Sequence, residues 1–206
     1  MGARGWTLTI ICLVAGATGL CALFGVGLPP AEGLLGWSLT IIGLLFGFVG
    51  VLAVVGLLIP KRHVAKRSLT LRHPPASVWA VIRDGPSWPE WWDILKSVTK
   101  EQSGNGQETW RMLYKDGNKF CLRVDDEDAE RRLVLRIDDD MKLFGGTWTY
   151  DLTPTNGGCT VQLTENGEIY FPLFRVIAKL TMNPALYVEK HLNGLARKFN
   201  QKAELS

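Results

Sequence analysis

Histidines are the first candidates for chemistry in this sequence, because imidazole exchanges a proton near neutral pH more readily than other side chains. The 206-residue chain has three of them. His63 lies in a basic cluster, His73 precedes two prolines, and His191 neighbours an amphipathic helical stripe. No nucleophile or carboxylate stands at a spacing that would pair with any of them. We therefore expect no catalytic residue, with His191 as the one weak candidate for a general acid or base.

Metal and cofactor chemistry also finds little support in the sequence. The acidic runs 125–128 and 138–140 lack the alternating ligands and the glycine of an EF-hand loop, so they are predicted to be solvated hairpin ends. Cys121 and Cys159 have no CxxC or Cys/His partner, and no glycine-rich phosphate loop is present. We predict no metal site and no cofactor.

The stretch SWPEWWDILKS, residues 87–97, concentrates three tryptophans that must face a protein core, a bound ligand or a membrane. It lies between a predicted helix and a run of predicted strands. We expect these rings to be buried at one end of a domain core, with Trp88 as the most exposed of the three because it precedes Pro89.

The first 60 residues form a different kind of chain from the rest. They contain only Arg4 and Glu32 of the 23 Lys+Arg and 20 Asp+Glu in the sequence. Residues 6–28 and 34–59 are uncharged, and each exceeds the roughly 20 residues that a helix needs to cross a bilayer. We predict a transmembrane hairpin over 1–60; a cleaved signal peptide is the alternative for the first span.

The basic residues around the hairpin predict its orientation. Lys61, Arg62, Lys66 and Arg67 follow the second span, whereas the turn between the spans has no Lys or Arg. The positive-inside rule then places both termini and the soluble domain in the cytoplasm, as a multi-pass protein of the plasma or inner membrane. These four residues, in a linker over 61–67, are predicted either to meet anionic lipid headgroups or to act only as a topogenic signal.

Within the second span, Gly43 and Gly47 have the GxxxG spacing that lets two helix backbones approach closely. They could pack against the first span or support a homodimer. No charged residue lies inside either span, so we interpret the hairpin as an anchor rather than a channel. Residues 73–206 hold 17 basic and 19 acidic side chains, a balance that disfavours nucleic-acid binding.

Period-two and helical patterns fill the soluble part. Apolar alternation and turn signals predict strands at 68–72, 109–115, 120–124, 133–137, 147–152 and 159–165. A short helix is predicted after Pro75, and a long helical stripe closes the chain, with Pro184 either kinking it or starting a second helix. Such a sheet needs the long helix across its apolar face.

Large side chains point into the space between that sheet and that helix. We predict a hydrophobic cavity there for a membrane lipid or another hydrophobic small molecule. Its predicted lining is Trp79, Trp91, Trp92, Trp110, Met112, Tyr114, Phe120, Leu135, Trp148, Tyr150, Leu163, Ile177 and Leu180. Aromatic rings could also fill the space completely.

Three stretches in this order resemble a known superfamily: SLTLRHPPASVWAVI, the W-P-x-W-W segment, and EIYFPLFRVIAKLTMNPALYVEKHLNGLARKF. Residues 68–202 resemble the START-like (SRPBCC) superfamily, in particular its polyketide cyclase/dehydrase and lipid-transport branch. The resemblance implies an α+β helix-grip fold, in which a curved antiparallel sheet wraps a long C-terminal helix around a ligand cavity. The transmembrane hairpin is not a general feature of that superfamily.

The function implied is a membrane-anchored SRPBCC domain that binds a lipid, quinone or isoprenoid. A cyclase/dehydratase-like enzyme and a cavity-less, chaperone-like interaction module are the alternatives. For residues 168–180 three roles stay open: a gate of the cavity, ordinary helix packing, or exposure of Phe171, Leu173 and Phe174 to the bilayer beside Arg175 and Lys179.

Overall fold

The computed structural model describes residues 33–102, 106–138 and 143–206. The predicted first span, residues 6–28, lies outside the described residues, and so do positions 139 and 140 of the second acidic run. The chain divides into two compact units, one of residues 1–60 with 172–180 and one of residues 61–171 with 181–206.

In the described residues, the larger unit contains one antiparallel sheet of seven strands, ordered β1-β7-β6-β5-β4-β3-β2. The strands are β1 (Arg62–Leu71), β2 (Leu95–Gln102), β3 (Glu108–Tyr114), β4 (Lys119–Asp128), β5 (Arg132–Asp138), β6 (Phe144–Thr155) and β7 (Gly158–Ile169). The predicted turns at Asp116-Gly117 and Asn156-Gly157 join β3 to β4 and β6 to β7. Gly117 and Gly157 adopt φ values of 91° and 97°, a region that glycine enters without a steric penalty.

The helices are α1 (Gly33–Leu58), α2 (Pro75–Arg83), a 3-10 helix (Gly85–Glu90), α3 (Pro172–Thr181) and α4 (Pro184–Lys198). Proline occupies the first turn of α2, as predicted. Pro184 starts a new helix rather than kinking one, since Asn183 caps α4 by accepting a hydrogen bond from the Leu186 amide at 3.2 Å. The predicted long C-terminal helix is therefore two helices.

The core lies between the apolar face of the sheet and α4, which packs against β1 and β7. The alternation in the strands was predicted correctly: Trp110 and Met112 of β3 and Trp148 and Tyr150 of β6 are at most 4% exposed. From α4, Val188, Leu192 and Leu195 are fully buried. A curved antiparallel sheet covered by a C-terminal helix is the helix-grip fold that the sequence predicted.

Two edges of the sheet differ from the prediction. β1 begins at Arg62 rather than at residue 68, because the predicted linker pairs with β7 in register from Arg62↔Glu168. β2 was not predicted, since only Leu95 and Val98 of its eight residues are buried and a bulge interrupts its register after Leu95. Because Leu95 and Val98 are three residues apart, the segment lacks the every-second-residue alternation that identifies a strand in sequence. The first acidic run belongs to the end of β4.

The smaller unit contains α1 and most of α3. Residues Thr40–Leu58 of α1 have a mean hydropathy of 2.8, so this helix is long and apolar enough to cross a membrane. Among the described residues it is the one helix with that property. Gly43 and Gly47 are buried, whereas Trp37, Ile41 and Leu45 are more than 60% exposed.

Candidate functional site

His191 lies at the centre of the most distinctive side-chain arrangement in the sheet unit. Helix α4 carries it beside the buried stripe of Val188 and Leu192, and its own exposed fraction is 0%. Its ring is surrounded by aromatic rings at centroid distances of 4.4 to 5.7 Å. They belong to Trp88, Trp91, Trp92, Trp148 and Tyr150, and together with His191 we call these residues the aromatic cluster.

The Tyr150 hydroxyl and His191 Nε2 form a hydrogen bond of 2.9 Å inside the aromatic cluster. Burial lowers the pKa of His191 to about 3, because the apolar surroundings disfavour the imidazolium ion. Burial also raises the pKa of Tyr150 well above its usual value. Both groups are therefore neutral at pH 7, and an imidazole with so low a pKa is a weak general base and no general acid there.

Several polar atoms of the aromatic cluster are buried without a hydrogen-bond partner among the described residues. These are His191 Nδ1 and the indole Nε1 atoms of Trp91, Trp92 and Trp148. Trp88 differs, because its Nε1 donates a 3.0 Å hydrogen bond to the Ile82 carbonyl. An unsatisfied buried polar group costs about 1–3 kcal/mol, so folded proteins usually pair such groups. Groups of this kind are paired in folded proteins by protein atoms, by buried water or by a bound molecule.

A surface groove of about 380 Å³ adjoins the aromatic cluster at Trp92. Its other lining residues are Asp93, Ile94, Lys190, Asn193 and Arg197. Arg197 Nη2 donates to Asp93 Oδ2 at 2.7 Å across it. The groove thus combines the apolar side chains of Trp92 and Ile94 with charged ones, and its volume falls within the range that holds small ligands.

The predicted cavity lining falls into two groups. Trp79, Trp91, Trp92, Trp110, Met112, Tyr114, Leu135, Trp148, Tyr150 and Leu163 are buried in the core, and Phe120 is half-buried against it. Ile177 and Leu180 are 47% and 81% exposed on α3, which belongs mainly to the other unit. The break before Pro184 separates their stripe from that of α4, so the cavity-lining role of these two residues stays a prediction.

The prediction that Trp88 is the most exposed of the three tryptophans was wrong, since its exposed fraction is 0%. Pro89 does not turn the chain outward, because it continues the 3-10 helix that begins at Gly85. Within that helix the Trp88 ring packs edge-to-face against Trp110, with centroids 5.3 Å apart. Trp88 therefore closes one end of the core, as the other two tryptophans of the segment do.

An ion-pair network covers the Trp110 side of the core. Arg83 donates to both carboxylate oxygens of Glu108 at 2.7 Å and to Glu127 at 3.0 Å. Trp110 Nε1 donates to the same Glu108 carboxylate. The hydrogen bonds from Arg83 lower the pKa of Glu108 to about 2. This network fixes the position of Trp110 and leaves no unpaired indole there.

The basic residues predicted at the membrane surface lie on or next to β1. Lys61 and Arg62 contact Glu168 at 3.2 and 2.8 Å, and Arg67 contacts Glu189 at 2.8 Å. Lys66 is exposed. The glutamates thus neutralise part of the charge that was predicted to meet lipid headgroups, and that contact stays a prediction.

Sequence reasoning missed the groove. Lys190, Asn193 and Arg197 share one face of α4 at i, i+3 and i+7, a spacing that the sequence displays. Their contact with Asp93 and Ile94 joins segments about a hundred residues apart, as in the Arg197–Asp93 pair, and no local pattern indicates it.

Comparison with known proteins identifies related sequences and folds. The family described as polyketide cyclase / dehydrase and lipid transport matches residues 62–200. A search of the curated proteins finds no match. Three solved structures share the fold of the sheet unit. Their sequence identities to this chain are low, so the likeness establishes the fold and not the function.

The first is TTHA0849 from Thermus thermophilus, with 18% identity and a TM-score of 0.55 over 67% of this chain and 97% of that one. The second is the Zhui aromatase/cyclase from Streptomyces sp. R1128, with 12% identity and a TM-score of 0.52 over 68% and 94%. The third is StfQ, a di-domain ARO/CYC from the steffimycin biosynthetic pathway, with 16% identity and a TM-score of 0.53 over 68% of this chain. This chain spans half the length of StfQ.

Proposed function

Because this chain belongs to the polyketide cyclase / dehydrase and lipid transport family, we propose that its sheet unit binds a hydrophobic small molecule such as a lipid, quinone or isoprenoid. We also propose that the N-terminal hairpin anchors this unit at the cytoplasmic face of the plasma or inner membrane. The anchor rests on the apolar length of α1 and on the basic residues that follow it. The unpaired polar atoms inside the aromatic cluster carry the ligand proposal.

These atoms define the kind of ligand. The indole N–H groups of Trp91, Trp92 and Trp148 are donors that cannot accept. A carbonyl, hydroxyl or ester oxygen on an otherwise apolar molecule would pair with them, whereas a pure hydrocarbon would leave them unsatisfied. Lipids, quinones and isoprenoid alcohols all carry such an oxygen. The aromatic rings around His191 supply the apolar contacts for the rest of the molecule.

The groove at Trp92 suits the entry of an amphiphilic ligand. It shares Trp92 with the aromatic cluster, while Lys190 and Arg197 could hold a polar or anionic head at the surface. Binding in the cluster requires the rings of Trp92 and its neighbours to rotate, because the core is already closely packed around them.

Binding is favoured over catalysis by the state of His191. Its pKa of about 3 lies far from neutral pH, and Tyr150 occupies its Nε2 atom. The cyclase alternative predicts turnover that is lost on His191→Ala. In the binding proposal the same substitution changes ligand affinity and no reaction is observed.

The proposal is tested by purifying the full chain from native membranes and identifying bound molecules by native mass spectrometry. We expect a co-purified amphiphile that raises the melting temperature when it is added back to stripped protein. Trp92→Leu should weaken retention, whereas Trp37→Leu, on the exposed side of α1, serves as the matched control and should not. Detection of the apo chain alone, with no shift in melting temperature for any of the three ligand classes, would refute it.

A cavity-less interaction module remains the second candidate, and the packing of the core favours it. Trp88, Trp92, Trp110 and Tyr150 are at most 1% exposed and fill much of the space under the sheet. The ligand experiment separates the two candidates, because a module of this kind retains no amphiphile even in the unsubstituted chain.

Topology has a separate test. A reporter enzyme that works only in the cytoplasm should show activity when it is fused after Ser206. Activity of a reporter that works only on the opposite side of the membrane would overturn the orientation. Homodimerisation through Gly43 and Gly47 also stays a prediction, to be checked by the mass of the protein in detergent.

A further inference from the structure

Helix α3 carries exposed apolar residues on one side and an exposed lysine on another. Phe174, Ile177 and Leu180 follow one side of it at successive steps of three residues, and their exposed fractions are 39%, 47% and 81%. Lys179 is exposed about 160° around the helix from Ile177. No residue of α3 is fully buried. An apolar side opposite a basic side is the pattern of helices that lie in a membrane interface.

The start of α3 is attached to the end of α1. Arg175 Nη1 donates to the carbonyl oxygens of Gly56 and Ile59, at 3.4 Å each. The last carbonyls of a helix have no partner within it, and a cation stabilises that negative end. A Cβ atom at Gly56 would collide with the Pro172 carbonyl, so glycine at this position permits the contact.

This attachment sets the depth of α3 relative to a bilayer. The apolar surface of α1 continues to Leu58, which is 82% exposed, and Lys61 is the first charged residue after it. In a spanning helix, the hydrocarbon region ends where the apolar run ends. The first turn of α3 contacts the last turn of α1 and therefore lies at that boundary.

From this placement we propose that α3 lies in the membrane interface, with the Phe174, Ile177 and Leu180 side in the acyl chains and Lys179 toward the lipid headgroups. The partner is the lipid bilayer itself. The inference rests on the proposed insertion of α1, and it adds a second contact that holds the chain to the lipid surface. It assigns residues 172–180 to the bilayer rather than to a cavity gate.

The test places the photoreactive residue benzoylphenylalanine at single positions of the full chain in nanodiscs of phosphatidylcholine and phosphatidylglycerol. After illumination, mass spectrometry measures covalent adducts with lipid. Leu180→benzoylphenylalanine should give about fivefold or more lipid adduct than the control Lys179→benzoylphenylalanine, which lies about 100° around the helix on its basic side. Ile177→benzoylphenylalanine provides a second apolar position in case the first variant fails to assemble.

A third position separates this inference from the anchor on which it rests. Leu45 is 61% exposed in the middle of α1, so Leu45→benzoylphenylalanine should form lipid adducts whenever α1 spans the bilayer. Two results overturn the role of α3 alone, provided that position 45 forms lipid adducts. One is an equal adduct yield at positions 179 and 180, and the other is cross-linking of position 180 to a second copy of the chain. Absence of adducts at position 45 overturns the anchor as well.

Discussion

The buried His191 makes the stability of the sheet unit depend on pH in a direction that the structure fixes. Its pKa falls from 6.5 to about 3 because burial disfavours the charged ring. Between these values the unfolded chain binds a proton that the folded chain does not bind. The free energy of unfolding therefore decreases as the pH falls from about 6.5 toward 3. Above pH 6.5 the folded and the unfolded chain both hold His191 neutral, so this destabilisation is absent.

The size of the effect follows from the same shift. One pKa unit corresponds to about 1.4 kcal/mol, so His191 should lower the free energy of unfolding by about 2 kcal/mol between pH 8 and pH 5. Urea unfolding of the full chain in detergent, followed by tryptophan fluorescence at several pH values, measures this slope. Other titrating groups contribute to it, so the comparison of variants isolates the histidine.

His191→Gln is the informative variant, because glutamine keeps a hydrogen-bonding atom near Tyr150 and does not titrate. The free energy of unfolding of this variant should change between pH 8 and pH 5 by about 2 kcal/mol less than that of the unsubstituted chain. Thr70→Ser is the control, because residue 70 is exposed and neither side chain titrates, so this variant should retain the slope of the unsubstituted chain. Equal slopes for His191→Gln and the unsubstituted chain would refute the neutral, buried state of His191.

Three further predictions concern the packing around the site. Tyr150→Phe removes the partner of His191 Nε2 and should lower the free energy of unfolding by about 1–3 kcal/mol in urea titrations. Glu108→Gln should destabilise the fold at pH 7, because the lowered pKa of Glu108 reflects its pairing with Arg83. We expect a loss of about 1–2 kcal/mol, a figure reduced because the pair is partly exposed to solvent. The difference in stability from the unsubstituted chain should vanish as the pH falls from 4.5 toward 2. Gly194→Ala would bring a Cβ atom against the Trp91 carbonyl and should lower the melting temperature through a loss of about 1–3 kcal/mol. Unchanged stability in any of these variants would contradict the contact concerned.

Local patterns were enough to predict most of the elements. Trp110 and Met112 alternate with polar neighbours, and a strand with one buried face must show that period. The uncharged length of α1 and the proline that begins α2 are signals of the same local kind. The resemblance to the START-like superfamily then arranged these elements into a helix-grip fold, which the structure confirms.

The aromatic cluster required the tertiary structure. His191 and Tyr150 are 41 residues apart, and their hydrogen bond depends on how α4 packs against the sheet through β1 and β7. The sequence placed His191 near the apolar stripe of α4. It did not indicate that four indole rings would surround it and lower its pKa, because burial is a property of the whole packed core.

The same distinction explains the errors and the missed surfaces. The sequence by itself determined that Ile177 and Leu180 belong to an apolar helical stripe and that Trp88 carries a large apolar ring. Only the tertiary structure decided that α3 attaches to the end of α1 while Trp88 closes the core of the sheet unit. Periodicity fixes which side of an element is apolar, whereas contacts between residues distant in sequence fix what that side meets.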